Sequence, residues 1–338
     1  LTSREWRLIA RPVGEPKPAD FALATVVLPP PGPGQVVVAN EWLSVDPYMR
    51  GRMDAGDSYL PAFALGAAMS GSATGTVIES RSAAVPVGVN VAHTAGWREY
   101  AVLDADDVQP IDVRRSPAPA YLGVLGPTGL TAYIGMAEIA AVTDGDVVFV
   151  SGAAGAVGSV AGQIARNLGA ARVIGSAGRP EKARLLVSDF GFDAAIDYTA
   201  GDLAAQLDAA APDGIDVYFD NVGGPQLRAA LAALNPFGRV ALCGAISAYN
   251  TDRPLGPDNL MLAVEKRITL RGFIVGDHLH RAGEWVRLGG RWLADGSLRA
   301  RETVVDGIDQ ALDAFLAMMR GANIGKMLVR LERTAACR

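Results

Sequence analysis

The order of local signals along the chain predicts an α/β protein in two parts, a small β region followed by a doubly wound parallel sheet. Two observations carry this. From about Gly123 to Arg299, short apolar strands alternate with helical stretches, the pattern of a parallel sheet covered on both faces. Before that, to about Leu122, the chain is rich in Pro, Gly and Val and breaks into short strands between turn residues, which suggests a small β barrel or sandwich. A length of 338 residues gives room for two cores.

In the first segment, strands are expected at Trp6–Ala10, Gln35–Ser44, Gly71–Ser80, Asn90–Thr94 and Ala101–Leu103. The stiff run Pro29-Pro30-Pro31-Gly32-Pro33-Gly34 and the Val87-Gly88 corner separate some of them. No strand here is followed by a glycine turn and a helix, so a nucleotide site is not expected in this part. The run Ser44-Val45-Asp46-Pro47-Tyr48-Met49-Arg50-Gly51 stands out at a strand end. Tyr48 offers a hydroxyl that can donate to a carbonyl oxygen, and Asp46 and Arg50 are close enough in sequence to form an ion pair. A turn with a packed aromatic residue is the simpler reading of the same run. His93, in VAHTAGWREY, has no acidic or cysteine neighbour at ligand spacing and reads as structural.

In the second segment a helix runs from Thr128 to about Ala140, and Asp144-Gly145-Asp146 leads into the central strand Val147–Val150. That strand opens VVFVSGAAGAVGSVAGQIARNLG (Val147–Gly169), in which Gly152, Gly155 and Gly158 precede Val160, Ile164 and Leu168 at helical spacing. Strand, glycine turn and helix start, in that order, suit a dinucleotide pyrophosphate. Gly155 lets the backbone approach phosphates without a Cβ, Gly158 and Gly162 let the helix pack close, and free N–H groups at the helix start face the anion. The spacing is A-x-G-x-x-G (Ala153, Gly155, Gly158), short of the full fingerprint, and Val147–Ala165 is uncharged and long enough to cross a bilayer. Repeated glycines, the absence of leucine and the strand-to-helix switch argue against a membrane span.

Context settles the motif. Strands are expected at Arg172–Ser176, Ala194–Asp197, Ile215–Asp220, Gly238–Cys243 and Ile268–Val275, with helices at Pro180–Phe190, Asp202–Ala210 and Gln226–Leu234. The glycine turn therefore lies on the first strand of a Rossmann unit. In the third segment Val304–Arg320 holds apolar residues at helical spacing (Ile308, Leu312, Phe315, Leu316, Met319), and a strand Met327–Leu331 returns to the first part. Thr334–Arg338 reads as a frayed tail. The expected division is thus 1–122, 123–299 and 300–338.

Ligands of open parallel sheets sit outside the carboxyl ends of the strands, so Ser151–Val157, Asp220–Gly224, Cys243–Ser247 and Phe273–Val275 should face one crevice. Asn221 has a carboxamide to bond a cofactor, Gly223-Gly224 lets the chain pass beneath it, and Tyr249 is placed to reach a nicotinamide ribose or a substrate oxygen. Cys243 fits a small buried hydrophobe. Asn323 and Lys326 precede the last strand and point to the same cleft. At the end of the second strand, Gly175-Ser176-Ala177-Gly178-Arg179-Pro180-Glu181-Lys182 carries no carboxylate at its tip for ribose hydroxyls. Arg179 and Lys182 instead suit a 2′-phosphate, which favours NADPH, although Lys182 beside Glu181 also fits a solvated helix face.

Composition narrows the partners. Hydrophobic residues are 50% and charged ones 20%, with a net charge of -5 and no basic run, so nucleic acid and anionic membrane are poor partners. LTSREWRLIARP has arginines but no apolar core of signal-peptide length. Two cysteines, Cys243 and Cys337, make neither a disulfide framework nor a four-cysteine zinc site, which fits a reducing, cytoplasmic setting.

Taken together, SVDPYMRG (Ser44–Gly51), TGLTAY (Thr128–Tyr133), SGAAGAVGSVAGQIA (Ser151–Ala165), EKARLL (Glu181–Leu186), YFDNVGG (Tyr218–Gly224), GRVALCGAISAYN (Gly238–Asn250), RGFIV (Arg271–Val275) and NIGK (Asn323–Lys326) span most of the chain. In that order they resemble the zinc-independent medium-chain dehydrogenase/reductases, in the branch of leukotriene B4 dehydrogenase, prostaglandin reductase, alkenal double-bond reductase and curcumin reductase. The resemblance implies a Rossmann domain beside a GroES-like β-barrel catalytic domain, and a homodimer paired through edge strands around Ile268–Val275. It implies Ala154, Gly155, Ala156 and Val157 on the pyrophosphate, Lys182 at the 2′-phosphate and Tyr198 near the adenine, with Gly178 and Arg179 of the strand tip beside Lys182. Asn221, Cys243, Gly244, Ala245, Ile246, Ser247, Tyr249, Phe273, Ile274, Val275 and Asn323 would line the rest of NADPH, and Tyr48 the substrate pocket. SVDPY has no cysteine or histidine where the zinc-dependent relatives place ligands. Ser70-Gly71-Ser72-Ala73 departs from a more glycine-rich family stretch, Arg179 is an extra cation, and Arg52–Leu65, which should border the substrate, matches nothing assignable.

The activity this implies is metal-free hydride transfer from NADPH to the β-carbon of an α,β-unsaturated ketone or aldehyde, with Tyr48 or Tyr249 stabilising the enolate oxygen. Quinone reduction on the same fold, and NADPH binding without catalysis, are the alternatives.

Overall fold

The structure is a computed structural model describing residues 1–56, 58–251 and 256–332. Cys337 and the tail Thr334–Arg338 lie outside the described residues. The chain separates into two compact units, one of Leu1–Gly123, Glu302–Asn323 and Met327–Arg338, the other of Val124–Arg301 and Ile324–Lys326.

The first unit begins with an antiparallel pair, β1 (Thr2–Leu8) and β2 (Phe21–Val27). Then come β3 (Gln35–Ser44), β4 (Ala73–Ser80), β5 (Asn90–His93), β6 (Tyr100–Asp104) and β7 (Gln109–Pro110). β3 is long enough to pair with β4 along one edge and with β6 beside its first half on the other. The strand expected at Trp6–Ala10 in fact runs Thr2–Leu8, and β2 has no counterpart in the sequence reading. The polar start Thr2–Glu5 hides a strand whose Ser3 and Glu5 point inward, the Ser3 hydroxyl accepting from the Tyr100 N–H at 3.1 Å.

The second unit opens with α1 (Pro127–Ile134), extended by a π turn over Gly135–Ile139. β8 (Val147–Val150), α2 (Ala156–Asn167), β9 (Arg172–Ala177), α3 (Pro180–Ser188) and β10 (Ala194–Asp197) form its first half. α4 (Leu203–Ala210), β11 (Ile215–Asp220), α5 (Gly224–Ala233), β12 (Leu234–Leu242), α6 (Met261–Glu265), β13 (Thr269–Gly272) and α7 (Ala282–Asp295) complete it. The six strands are parallel in the order β10-β9-β8-β11-β12-β13, so the order reverses beside β8, where doubly wound sheets bind dinucleotides. Phe149, Ile174, Tyr218, Leu231 and Val240 lie in its core.

Two strand boundaries and one helix are the differences from expectation with a clear local cause. β12 starts at Leu234, four residues before the expected Gly238, and continues through Phe237 in a positive-φ kink (φ 67). β13 ends at Gly272, because a 3-10 turn takes over from Val275. α7 has no counterpart in the sequence reading; the Gly289-Gly290 pair lies within it, and Gly289 lets the helix accept the Trp285 ring, 2.9 Å from where a Cβ would stand.

The chain then returns to the first unit through β14 (Glu302–Asp306), α8 (Ala311–Met319) and β15 (Lys326–Arg330). The helical pattern expected over Val304–Arg320 is therefore split between a strand and a helix. β15 pairs with the end of β3 (Leu328 opposite Ser44), completing an antiparallel sheet of order β14-β15-β3-β4-β5-β7 with β6 against β3. Ile308, Leu312, Phe315 and Leu316 join Leu43, Met49, Met53 and Trp97 in the core of this unit.

Candidate functional site

At the carboxyl end of β8 the chain turns left-handed at Gly152 (φ 57) and reaches Gly155, which caps α2 with extended backbone. The Ala153 N–H donates to the Ser176 carbonyl at 2.9 Å, tying the turn to β9. A Cβ on Gly158 would stand 2.5 Å from the Gly152 carbonyl oxygen, so only glycine closes this turn. A Cβ on Gly162 would meet the Phe192 ring at 2.1 Å. The Ala154 carbonyl, the natural acceptor for the Gly158 amide, instead accepts from the Gly325 N–H at 2.8 Å. Among the described residues the amides of Ala156, Val157 and Gly158 therefore have no protein acceptor. Three free N–H groups at a helix start, at the reversal of strand order, are built for an anion.

The brace at Gly325 was not read from the sequence. Gly325 has φ 65, and a Cβ there would fall 1.9 Å from the Arg301 carbonyl. The NIGK glycine thus belongs with the glycine turn, with Lys326 buried beside it; Asn323 is also buried.

At the ends of β9 and β10, Gly178 supports the Tyr198 ring, whose Oη would lie 2.4 Å from a Cβ. Arg179 precedes α3 and faces Glu181 at 3.9 Å, both half exposed. Lys182 is buried, not part of a solvated face, and burial followed by the Arg179 charge pushes its ammonium pKa down. The Ser176 hydroxyl donates to Gln226 at 2.5 Å. No carboxylate stands at the tip of β9.

At the ends of β11 and β12, Asp220 accepts from the Ser151 and Tyr218 hydroxyls at 3.1 and 2.7 Å and from the Val222 and Gly223 amides at 2.9 and 2.8 Å. The Asn221 carboxamide donates to the Ser151 carbonyl at 2.7 Å, so its nitrogen is engaged within the protein. The Ile246 amide donates to the Asn221 carbonyl at 3.2 Å, and the Ser247 hydroxyl to the Val222 carbonyl at 2.6 Å. Tyr249 folds back over Gly244, with its Oη 3.2 Å from where a Cβ would be. Burial raises the Tyr249 pKa, opposed by a backbone hydrogen bond at Ala245 and assisted by Cys243 and Asp220. Burial first, then Asp220, pushes the Cys243 thiol up to about 12, so it stays an unionised, inert thiol. Beyond β13, Phe273 sets its ring edge-on to Phe219 (centroids 6.3 Å apart), followed by Ile274 and Val275.

In the first unit, Tyr48 sits in a 3-10 turn, Pro47–Met49, after β3. Burial, then the Asp46 charge, raises its pKa well above the ordinary tyrosine value. Asp46 accepts from the Ser44 hydroxyl, and Arg50 pairs with Asp54 at 2.8 Å, one helical turn on. The unassignable loop after it is organised by Arg52, whose guanidinium lies 4.1 Å from the Phe63 ring centroid and donates to the Pro61 carbonyl. His93 is buried, its Nδ1 accepting from the Ala95 amide at 3.1 Å. Among the described residues no three His, Cys, Asp or Glu side chains gather as a metal site would require.

Residues 4–111 match a family model described as the N-terminal domain of oxidoreductase, and residues 156–288 one described as zinc-binding dehydrogenase. The chain is 39% identical to an NADPH-dependent curcumin reductase of Escherichia coli (strain K12), over 97% of each sequence. It is 40% identical to a 2-alkenal reductase (NADP(+)-dependent) of Nicotiana tabacum, over 95% of each. The crystal structure of CurA in complex with NADPH from Vibrio vulnificus matches with a TM-score of 0.93 at 40% identity, covering 98% of this chain and 100% of that one.

Proposed function

Because the chain belongs to the zinc-independent branch of the medium-chain dehydrogenase/reductases, we propose that it reduces the C=C bond of α,β-unsaturated ketones and aldehydes with NADPH. The observation that carries the reading is the start of α2: three amides without protein acceptors, close to a strand end that offers Arg179 and Lys182 and no carboxylate. A phosphorylated dinucleotide fits that donor set.

The amides of Ala156 to Gly158 hold the pyrophosphate, the Ala154–Gly155 backbone lies against it, and Lys182 with Arg179 takes the 2′-phosphate. Tyr198 flanks the adenine. Asn221, residues 243–247, Phe273, Ile274, Val275 and Asn323 line the nicotinamide half. Bound there, NADPH supplies a hydride to the β-carbon of the conjugated acceptor. Charge then develops on the carbonyl oxygen of the enolate, whose α-carbon takes a proton from a tyrosine or from water to complete the reduction; a positioned donor at that oxygen is worth about 3 kcal/mol of barrier. Tyr249, Tyr48 or the ribose 2′-hydroxyl held by Tyr249 is the donor. Burial raises both phenols, so each is protonated at neutral pH and suits a donor, not a base.

Enones and quinones compared under equal NADPH test the reading: enone turnover exceeds quinone turnover at least tenfold, and inertness towards the whole enone panel refutes it. Full turnover in Tyr249→Phe and Tyr48→Phe together would remove the tyrosines from the mechanism.

The protein works as a cytoplasmic homodimer. No helix among the described residues is long and apolar enough to cross a membrane. Among the described residues β13 is an edge strand of its sheet, and Phe237, Met261, Val264 and Leu279 are exposed apolar residues of the same unit. Light scattering at twice the chain mass of 35.2 kDa supports the dimer, and a monomer mass contradicts it.

A further inference from the structure

We propose that Asp220 is the positioning residue of the crevice: through one buried carboxylate it fixes the loops that receive the nicotinamide half relative to the glycine turn that receives the pyrophosphate. The inference rests on the NADPH reading above and deepens it.

Asp220 is 1% exposed, so its side-chain oxygens depend on donors from within the protein. Four donors converge on its Oδ1, and they come from both sides of the crevice. The Ser151 hydroxyl belongs to the first residue of the glycine turn, while the Val222 and Gly223 amides belong to the loop after β11. The Tyr218 hydroxyl closes the set from within the strand. The Asp220 main-chain carbonyl accepts from the Cys243 and Gly244 amides at 2.9 and 3.0 Å, so the loop after β12 hangs from the same residue. Ser151 relays the tie onward, its Oγ accepting from the Asn221 amide at 2.9 Å and its carbonyl from the Asn221 carboxamide. From there Asn221 and Val222 receive the amides of Ile246 and Ser247. Val222, Gly223, Cys243 and Gly244 are thus one hydrogen bond from this carboxylate or its carbonyl, Asn221 and Ser247 two, and Ile246 three. A hydride donor misplaced by about 1 Å loses on the order of a hundredfold in rate, so the tie acts on rate more than on binding.

The test uses the full chain and Asp220→Asn, which keeps the shape and one acceptor oxygen but removes the charge and puts two N–H groups where an oxygen stood. Ser151→Ala and Tyr218→Phe each remove one donor and guard against a fold that fails in the first variant. Three readouts are taken: kcat for enone reduction at saturating NADPH, Kd for adenosine 2′,5′-bisphosphate (which reports the adenine half alone), and hydrogen exchange of segments 220–224 and 243–247. The expected result in Asp220→Asn is about a thirtyfold loss of kcat, a Kd within twofold of wild type, and faster exchange confined to those segments. Ser151→Ala loses about fivefold and Tyr218→Phe about twofold in kcat. Unchanged kcat in a folded Asp220→Asn overturns the proposal. So does loss of adenosine 2′,5′-bisphosphate binding in step with kcat, or exchange that rises across the whole second unit, since those mark a merely structural role. Failure of the wild-type protein to turn over NADPH strikes the functional reading instead; the exchange pattern then still decides whether Asp220 holds the loops.

Discussion

The two ends of the dinucleotide crevice are built on different principles. At the ends of β9 and β10 the groups offered to a ligand are side chains, Arg179 half exposed, Lys182 buried and Tyr198 42% exposed over Gly178. At the ends of β11 and β12 most of them are main chain, and the side chain that arranges them, Asp220, is sealed from solvent. The first end selects by charge and can be retuned one residue at a time. The second end sets direction, and its parts move together because they share one acceptor. The glycine turn joins the two.

The comparison breaks most completely at the joint. Gly158→Val drives a branched side chain into the Gly152 carbonyl, and both ends lose their reference. The expected outcome is at least a hundredfold loss of NADPH affinity by fluorescence titration and a loss of stability of about 3 kcal/mol in denaturant melts. Next comes the charge-selecting end. Lys182→Ala lowers kcat/KM with NADPH about fiftyfold, the value of a charge-assisted contact, and leaves NADH turnover within about twofold. Arg179→Ala costs only about threefold, because its guanidinium is exposed and already faces Glu181.

At the direction-setting end, Tyr249→Phe removes a donor without touching the phosphate contacts. It is expected to lower kcat about thirtyfold with KM for NADPH within about twofold. Because burial raises the Tyr249 pKa above the ordinary tyrosine value, its phenol stays protonated at least to about pH 9, so kcat for wild type should hold level from about pH 6 to 9. A fall near pH 8 would mean a different group donates.

The last effect lies outside the crevice, leaves activity untouched and serves as its control. Burial, then the Arg98 charge, lowers the His93 pKa from 6.5 to about 4. The unfolded chain takes up this proton below about pH 6.5 and the folded chain only near pH 4, so stability falls as pH drops between those values. The full loss is about 3 kcal/mol, and His93→Gln flattens that part of the Tm-versus-pH curve while leaving NADPH binding unchanged.

The two ends also differ in how far they could be read from sequence. The glycine turn, the alternation of strands and helices, and the absence of a carboxylate after β9 are local patterns, and Val147–Gly169 announces them within one window. Gly178 under Tyr198 and the burial of Lys182 needed the sheet order, although the cations Arg179 and Lys182 already pointed to a phosphate. Asp220 did not stand out, because a carboxylate ending an apolar strand looks like an ordinary turn residue. Its importance comes from Ser151, 69 positions earlier, and from amides that converge only when β8 and β11 lie side by side. Gly325 was hidden for the same reason: its partners, the Ala154 and Arg301 carbonyls, are set by tertiary structure and leave no periodicity in sequence. β1 and α7 were obscured by composition, a polar strand start in one case and a paired glycine in the other.

The central claim is that a phosphorylated nicotinamide dinucleotide lies across the start of α2 and reduces a conjugated acceptor. Its most direct measurement is kcat/KM for one enone with NADPH and with NADH, on wild type and Lys182→Ala side by side. The account predicts a preference for NADPH of about a hundredfold that collapses to within about threefold in the variant. Equal use of the two dinucleotides by the wild-type protein, or a preference that survives the loss of Lys182 and Arg179 together, would contradict it.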